Sequence, residues 1–192
     1  IAEYLRENVP EVENAILTNE VWNEYLSSDA EHTYNEQKGY FAPSEIFDLF
    51  SFELISGSKE NVLDQPNSIV LSEEMAEKYF PGQNAMGKIV FDGQKRELQV
   101  TGIMKDIPEQ STIDASYFRS NATLLKNLNE NWYNSSFECY VLLQPNVSHK
   151  AVSDKIKDVV NQHDLDAKRV LYLHPLSKLH LNESVRDDKG SV

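Results

Sequence analysis

Cysteine is almost absent from this 192-residue sequence, which contains Cys139 alone. A single cysteine cannot form an intrachain disulfide, and it cannot build a cysteine-based metal cage. Cys139 lies in the alternating apolar segment SSFECYVLL, and this pattern predicts a packed thiol that behaves as a small hydrophobic side chain. The cysteine count does not decide the cellular compartment.

Glycine and proline are also scarce, with seven residues of each. Collagen-like, low-complexity and linker-dominated chains are therefore disfavoured. Hydrophobic residues make up 40% of the sequence and aromatic residues 10%, and the chain is long enough to bury a substantial core. The composition predicts a globular chain of one large domain or two small ones.

Positive charge is the third deficit. Lysine and arginine total 18 against 31 aspartates and glutamates, which gives a formal net charge of -13. Such a chain repels phosphate backbones, and no lysine or arginine cluster offsets the repulsion locally. We therefore predict no nucleic-acid partner, and docking on anionic lipid is disfavoured for the same reason.

Long apolar runs and catalytic signatures are missing too. No apolar run reaches the roughly 18 residues of a membrane-spanning helix, and the N-terminus lacks the features of a signal peptide. The sequence contains no nucleotide-binding glycine loop, nucleophile elbow or calcium loop. His174 and His180 would lie roughly 20 Å apart on a strand, too far for one metal ion, so we predict no catalytic, cofactor or metal residues.

The apolar periodicities predict an α+β fold with mixed sheets and packed helices. Ser72 is predicted to cap a helix, and Asp92-Gly93 is predicted to form a type I′ hairpin turn. Helices are predicted over residues 1–8, 45–50, 72–80, 122–128 and 149–162, and strands over residues 12–22, 29–41, 69–71, 88–91, 95–104, 113–121, 137–143 and 169–173.

The segment from Ser68 to Pro108 resembles the MacB-like periplasmic core domain of ABC transporter permeases, within the broader FtsX-like permease family. The resemblance depends on the apolar strand ending in Ser72, the helix ending at Tyr79-Phe80, the Met86-Gly87-Lys88 step and the segment Val100-Thr101-Gly102-Ile103. Weaker similarity extends over 40–57, where the resemblance implies a turn at Leu54-Ile55-Ser56-Gly57, and over 140–181, including Pro175-Leu176 and His180-Leu181. Ala85-Met86 departs from the more common Pro-Ile-like pair.

This resemblance implies one extracytoplasmic domain over residues 1–192, with a membrane-proximal lobe (1–39 plus 112–192) and an inserted distal lobe (40–111). It implies a bacterial inner membrane protein whose domain lies in the periplasm, with one membrane helix before Ile1 and others after Val192. The implied partners are the chain's own transmembrane helices, a separate cytoplasmic ATPase, a periplasmic adaptor or other envelope protein, and a second permease copy. The domain itself would be no enzyme and would hold no cofactor.

The implied function is the relay of ATP-driven conformational change to cargo or to a partner outside the membrane. A sensory or ligand-binding module with a deep cavity is the alternative, and an envelope hydrolase is a third. Packing at the edge of the core is the first explanation for aromatic residues near turns, and contact with a partner is the alternative. The candidates are Trp22, Tyr25, Trp132 and Tyr133, with Trp132 and Tyr133 preferred.

Overall fold

The structure is a computed structural model of the chain, and it describes residues 1–29, 31–108, 110–127, 136–163 and 168–179. The chain divides into two compact units. The first contains residue 1, residues 3–15 and the described residues from Val141 onward, and the second contains Ala2 and Ile16–Tyr140. The predicted lobes, 1–39 plus 112–192 and 40–111, stay a prediction, because compactness does not show which unit lies nearer a membrane.

The described residues contain ten strands and six α-helices. The strands are β1 (Val12–Val21), β2 (Glu24–Ser27), β3 (Thr33–Glu36), β4 (Gly39–Ala42), β5 (Leu54–Ser56), β6 (Ser68–Ser72), β7 (Ile89–Asp92), β8 (Glu97–Met104), β9 (Tyr117–Ser120) and β10 (Glu138–Leu143). The helices are α1 (Ala2–Asn8), α2 (Ile46–Leu49), α3 (Glu73–Tyr79), α4 (Ala122–Asn127), α5 (His149–Ile156) and α6 (Val159–His163), and a short 3-10 turn follows at Leu176–Lys178.

The strands form one mixed sheet in the order β10-β1-β4-β9-β6-β8-β7-β2-β3, with β5 beside β8. The pairs β4–β9 and β6–β8 are parallel, whereas β9 runs antiparallel to β6. Strand β1 begins in the first unit and ends in the second, and β10 passes in the opposite direction. The predicted α+β fold with a mixed sheet and packed helices is confirmed.

The central strands of the second unit are buried on both faces. Successive residues of a strand point to opposite faces, and Ile69 and Leu71 belong to one apolar cluster while Val70 belongs to the other. Helix α2 contributes Phe47 to the cluster with Val70. Helix α3 contributes Met75 to the cluster with Ile69 and Leu71. Burial on both faces explains the uninterrupted apolar run at the start of the segment from Ser68 to Pro108, which we call the signature segment.

Helix α3 begins as the sequence predicts. The Ser72 hydroxyl accepts a hydrogen bond from the Met75 backbone N–H at 3.3 Å, which satisfies one of the amides left unpaired at a helix start. Glu73 and Glu74 lie in the first turn, where negative charge complements the helix dipole. The predicted cap is confirmed.

The predicted hairpin between β7 and β8 is present, but its turn type is wrong. The Lys95 N–H donates to the Asp92 carbonyl at 2.8 Å, and the Asp92 N–H donates to the Arg96 carbonyl at 3.1 Å. The loop therefore has three residues, and Lys95 occupies its left-handed position with φ of 64°. Such a loop closes with a turn followed by a bulge. The Asp92 side chain also accepts from the Gln94 N–H at 2.9 Å, which stabilises this longer turn.

Three other local predictions are wrong in the chain's second unit. The predicted turn over residues 54–57 is instead strand β5, which pairs with β8. The single strand predicted over 29–41 is two strands, β3 and β4. The sequence also did not indicate β2, because this strand has only four residues and no alternating apolar pattern long enough to detect. Cys139 is exposed, because β10 is the last strand of the sheet and one of its sides faces solvent.

Two predictions at the C-terminal end are also wrong. The helix predicted over 149–162 is interrupted at residues 157–158, where the Lys157 carbonyl accepts from the Leu171 N–H at 3.1 Å. The predicted strand 169–173 is irregular, because helix side chains satisfy its backbone groups. Asn161 bonds both backbone groups of Arg169, and the Ser153 hydroxyl accepts from the Leu173 N–H at 2.8 Å.

Candidate functional site

The predicted partner-contact residues, Trp132 and Tyr133, lie outside the described residues. Trp22 and Tyr25, the other two aromatic candidates, are described and are exposed by 68% and 53%. Both lie where β1 passes into β2. This region is therefore the candidate site that the structure allows us to build from its residues.

Strands β1 to β4 form one long hairpin. Only residues 22–23 separate β1 from β2, and only residues 37–38 separate β3 from β4. The same antiparallel register continues through both halves. The pairs that show this register are Asn19 with Phe41, Glu20 with Tyr40, Glu24 with Glu36 and Tyr25 with Asn35.

The two halves of the long hairpin join opposite ends of the sheet. The half formed by β1 and β4 lies beside β9, and the half formed by β2 and β3 lies beside β7. The hairpin must therefore turn sharply at residues 22–23 and 37–38, which we call the bend. Asn23 has a φ of 57° there, a left-handed conformation that asparagine tolerates better than most residues. We call β2, β3 and their connection the outer arm.

A buried cluster of charges attaches the outer arm to the body of the sheet. Arg119 of β9 donates to the Glu24 carboxylate of β2 and lies 3.5 Å from the Asp92 carboxylate of β7. The Tyr117 hydroxyl donates to the other Glu24 oxygen at 2.8 Å. The Arg119 guanidinium also lies 5.0 Å from the centroid of the Phe41 ring. We call Arg119, Glu24, Asp92 and Tyr117 the Arg119 cluster.

Burial determines the electrostatics of this cluster. The side chains of Arg119, Glu24 and Asp92 are exposed by only 7%, 12% and 2%. Burial, followed by the charge of Glu24, raises the pKa of Tyr117 well above its ordinary value of 10.0, so its hydroxyl stays protonated and donates. Gly39 leaves the space for this ring, because a β-carbon there would lie 2.2 Å from the Tyr117 hydroxyl oxygen.

The Asp92 carboxylate is held in its charged form. Burial alone would raise its pKa, but hydrogen bonds from the backbone and side chain of Arg96 and from the Gln94 N–H outweigh burial and lower the pKa below 3.8. The Arg96 Nε donates to one oxygen at 2.7 Å, and the Arg96 N–H donates to the other at 3.0 Å. The Asp92 carboxylate therefore belongs both to the hairpin turn and to the Arg119 cluster.

We expect Asp92 to make stability depend on acid pH. Because its pKa in the folded chain is below the ordinary value of 3.8, the unfolded chain binds more protons, so stability rises with pH through this range. The contribution is complete above the ordinary value and is lost as pH falls through the folded pKa. Asp92→Asn should flatten the dependence between about pH 5 and pH 2, as measured by urea unfolding at each pH. An equally steep dependence in wild type and variant would contradict this assignment.

A second polar contact holds the outer arm against helix α3. The Glu36 carboxylate accepts from the Lys78 ammonium and from the Tyr79 hydroxyl, each at 2.7 Å. The Lys78 nitrogen lies 4.4 Å from the centroid of the Tyr34 ring, and the Tyr34 and Tyr79 rings pack edge to face with centroids 5.2 Å apart. Burial, then the hydrogen bond to Glu36, raises the pKa of Tyr79. Both carboxylates on the inner side of the arm are therefore paired with the body.

Three charged side chains near the bend form ion pairs with the body of the sheet and its connections. Glu24 pairs with Arg119, Glu36 pairs with Lys78, and Lys38 pairs with Asp114 at 2.7 Å. The sequence did not predict these pairs, because the partners are 42 to 95 positions apart. The one available signal for a buried ion pair was the arginine in the short strand YFRS, which also contains two aromatic residues. The buried pairs of Glu24 and Glu36 attach the outer arm to the body.

The two segments that resemble the family, residues 40–57 and Ser68 to Pro108, contact each other elsewhere in the second unit. Gly57 follows β5 with φ of 102°, and a β-carbon there would lie 2.7 Å from the Thr101 carbonyl and 3.1 Å from the Gly102 Cα. The Thr101 hydroxyl donates to the Val62 carbonyl at 2.6 Å. The two glycines therefore permit a close approach between β8 and the chain leaving β5, which is a structural role.

The described residues provide no metal site built from three or more His, Cys, Asp or Glu side chains. His174 has a buried Nε2 atom with no hydrogen-bond partner, and His180, its predicted neighbour, lies outside the described residues. No described helix is long and apolar enough to cross a bilayer.

Comparisons with known proteins identify the fold and the family. Residues 1–159 match the family model described as the MacB-like periplasmic core domain. A comparison with curated proteins finds no match. Among solved structures, the chain is similar to "a domain of a putative Permease protein" from Porphyromonas gingivalis, with 22% identity, a TM-score of 0.74, and 95% of this chain and 85% of that chain covered.

Two other solved structures share the fold. The periplasmic region of MacB from Actinobacillus actinomycetemcomitans is 17% identical with a TM-score of 0.63, and the match covers 84% of this chain and 72% of that one. The extracellular domain of the noncanonic ABC-type transporter YknZ from Gram-positive bacteria is 16% identical with a TM-score of 0.65, and the match covers 90% and 87%.

Proposed function

Because the chain belongs to the family of MacB-like periplasmic core domains of ABC transporter permeases, we propose that it relays ATP-driven movement to cargo or to a partner outside the membrane. The family consists of domains that are not themselves catalytic and that lie outside the cytoplasm. The observation that carries the proposal is the family match over residues 1–159. The mechanical role, export or activation of a partner, is the proposed part.

The division into two units supports a mechanical role. The chain passes between the units at residues 15–16 within β1 and at residues 140–141 within β10. Both crossings lie inside strands, so a relay between the units would act on the backbone at these two points. A relay of this kind works by shifting the population between two arrangements, and ATP must favour one of them.

The proposed partners follow from the family. An ABC transporter permease acts with transmembrane helices and an ATPase, and we propose that the ATPase is a separate cytoplasmic subunit. A second permease copy and a periplasmic adaptor or other envelope protein are further proposals. The domain would lie in the periplasm of an inner membrane protein.

Hydrogen exchange tests the proposed relay without any added label. The full-length permease would be reconstituted with its ATPase in lipid nanodiscs and compared without nucleotide and with ATP trapped by a hydrolysis-deficient ATPase. We expect exchange to change at residues 15–16 and 140–141, because amide exchange reports local opening of such strands. Strand β6, buried on both faces, is the internal control and should not change. Identical exchange in both states throughout the domain would contradict the relay.

A further inference from the structure

We propose that residues 168–174, which we call the strap, bind an extended acidic segment of a partner protein as an added strand. The strap lies in the first unit, after helix α6. The strand predicted over 169–173 lies within it, yet it joins none of the described strands. The proposal gives the chemistry of a partner outside the membrane, so it rests on the proposed position of the domain. It does not require the proposed relay of movement.

The strap is an extended chain bonded along helices α5 and α6 and the turn between them. Three of its residues, two positions apart, bond three helical residues that are four positions apart. The bonded pairs are Arg169 with Asn161, Leu171 with Lys157 and Leu173 with Ser153. Four helical residues rise by about 6 Å and two extended residues span about 6.7 Å. The spacings agree, so the strap runs straight and antiparallel to the helices.

The outer edge of the strap carries backbone groups without partners. Successive residues of an extended chain direct their N–H and C=O groups to opposite edges. Because Leu171 and Leu173 donate inward to the helical side, Val170 and Tyr172 direct their backbone groups outward. Neither residue forms a backbone hydrogen bond with any residue that the structure describes. Such an edge is a template on which an extended peptide adds as a further strand.

The side chains of the outer edge suit a strand as partner. Val170 and Tyr172 are two positions apart, so they lie on the same face of the strap. They are exposed by 66% and 54%. β-Branched and aromatic side chains pair well with apolar side chains directly opposite on an added strand. The partner segment should therefore carry apolar residues at alternate positions.

Charge indicates the rest of the partner's composition. Within a chain of net charge -13, residues 168–179 contain three basic residues and no carboxylate. The basic residues are Lys168, Arg169 and Lys178, of which the two lysines are exposed. Asp154 and Asp158 each follow a helical residue that bonds the strap, so they belong to its inner, helical side. Asp164 and Asp166 lie outside the described residues. An acidic segment therefore complements the outer edge.

Two other occupants agree less well with these observations. A second copy of the chain would place two basic segments side by side, and like charges oppose association. An anionic lipid surface would attract the lysines, but it would supply no row of donors and acceptors matched to the outward backbone groups. Both occupants are distinguished from a peptide by the measurements below.

Binding can be tested on the 192-residue chain with the capped heptapeptide Glu-Glu-Val-Thr-Val-Glu-Glu. In antiparallel register its valines lie opposite Val170 and Tyr172, and its last two glutamates lie opposite Arg169 and Lys168. We expect saturable binding by calorimetry, with slower amide hydrogen exchange at Val170 and Tyr172 because their N–H groups become bonded. The same peptide with lysine in place of glutamate should bind about tenfold more weakly or not at all.

Proline at the outer edge separates backbone pairing from side-chain contact. Tyr172→Pro removes an N–H that no described group accepts, and we expect it to weaken peptide binding by about tenfold or more. Tyr172→Val is the matched control, because it keeps the N–H and is favoured in strands, and its affinity should stay within about threefold of wild type. If Tyr172→Pro does not fold, the heptapeptide N-methylated at both valines should fail to bind wild-type chain.

Three results would overturn the proposal: no binding of the acidic heptapeptide, equal affinities for the two peptides, or equal affinities of the proline and valine variants. Sedimentation with phosphatidylglycerol vesicles in the absence of peptide binding would assign the strap to lipid and would contradict it. A dimer that Tyr172→Pro dissociates would assign the strap to a second copy and would also contradict it. These assays contain no ATPase or nucleotide, so their failure would leave the proposed relay intact, and a failed relay would leave these results intact.

Discussion

Replacing Arg119 by methionine should lower the free energy of unfolding by about 3–5 kcal/mol, the usual cost of removing one partner from a buried ion pair. Arg119→Met leaves the Glu24 carboxylate buried without its cation, whereas Asp92 keeps its bonds from Arg96 and Gln94. The Tyr117 hydroxyl still donates to one Glu24 oxygen but cannot neutralise the charge of Glu24. The measurement is urea unfolding near neutral pH.

An exposed ion pair provides the control for Arg119. Lys105 lies 2.7 Å from Glu53, and their side chains are exposed by 55% and 62%. Lys105→Met should cost far less stability than Arg119→Met, because water screens an exposed pair. Adding Glu24→Gln to Arg119→Met should recover part of the lost stability, since it removes the charge left without a cation. Equal losses in the Arg119 and Lys105 variants would contradict the buried cluster.

Gly57→Ala should cost about 3 kcal/mol, by adding backbone strain to a clash with backbone atoms. Its φ of 102° is rarely adopted by other residues, and the added methyl would lie 2.7 Å from the Thr101 carbonyl oxygen. A carbonyl that belongs to β8 cannot move away as a flexible side chain would. Urea unfolding measures the loss, and the slope of unfolding free energy against urea should stay unchanged if only stability is affected.

A comparison with Gly82 separates the backbone strain at Gly57 from the clash with backbone atoms. Gly82 also has a positive φ, 66°, but a β-carbon there would meet nothing within 4 Å. Gly82→Ala should therefore cost only the strain, about 1 kcal/mol. If the two alanine variants lost the same stability, the close approach of Gly57 to β8 would contribute nothing, and the structural account of this signature position would be wrong.

Local signals predicted the signature segment well because its structure depends on neighbours in sequence. The Ser72 cap bonds a residue three positions away, and the apolar run of β6 is typical of a strand buried on both faces. The turn type after Asp92 was wrong because the Asp92 side chain stabilises a longer loop. The preference of two-residue turns for Asp-Gly does not indicate whether the aspartate side chain will bond the backbone of the loop.

The bend could not be predicted from local patterns. Strand β2 has only four residues, and its burial depends on β7, more than 60 positions later. Arg119 and Glu24 are 95 positions apart, so no spacing rule joins them. Exposure of Trp22 and Tyr25 agrees with the expectation that aromatics near turns are available for contacts, while partner contact at Trp132 and Tyr133 stays a prediction.

The distance between the two units in the working permease tests the central claim most directly. In full-length permease with its ATPase, spin labels would replace Lys150 in the first unit and Glu74 in the second, both exposed, in a Cys139→Ser background because Cys139 is exposed and would react. Labels at Glu74 and Glu97, both in the second unit, serve as the reference. We predict that ATP shifts the first distance distribution and leaves the reference unchanged. An unchanged distribution for both pairs would contradict the relay.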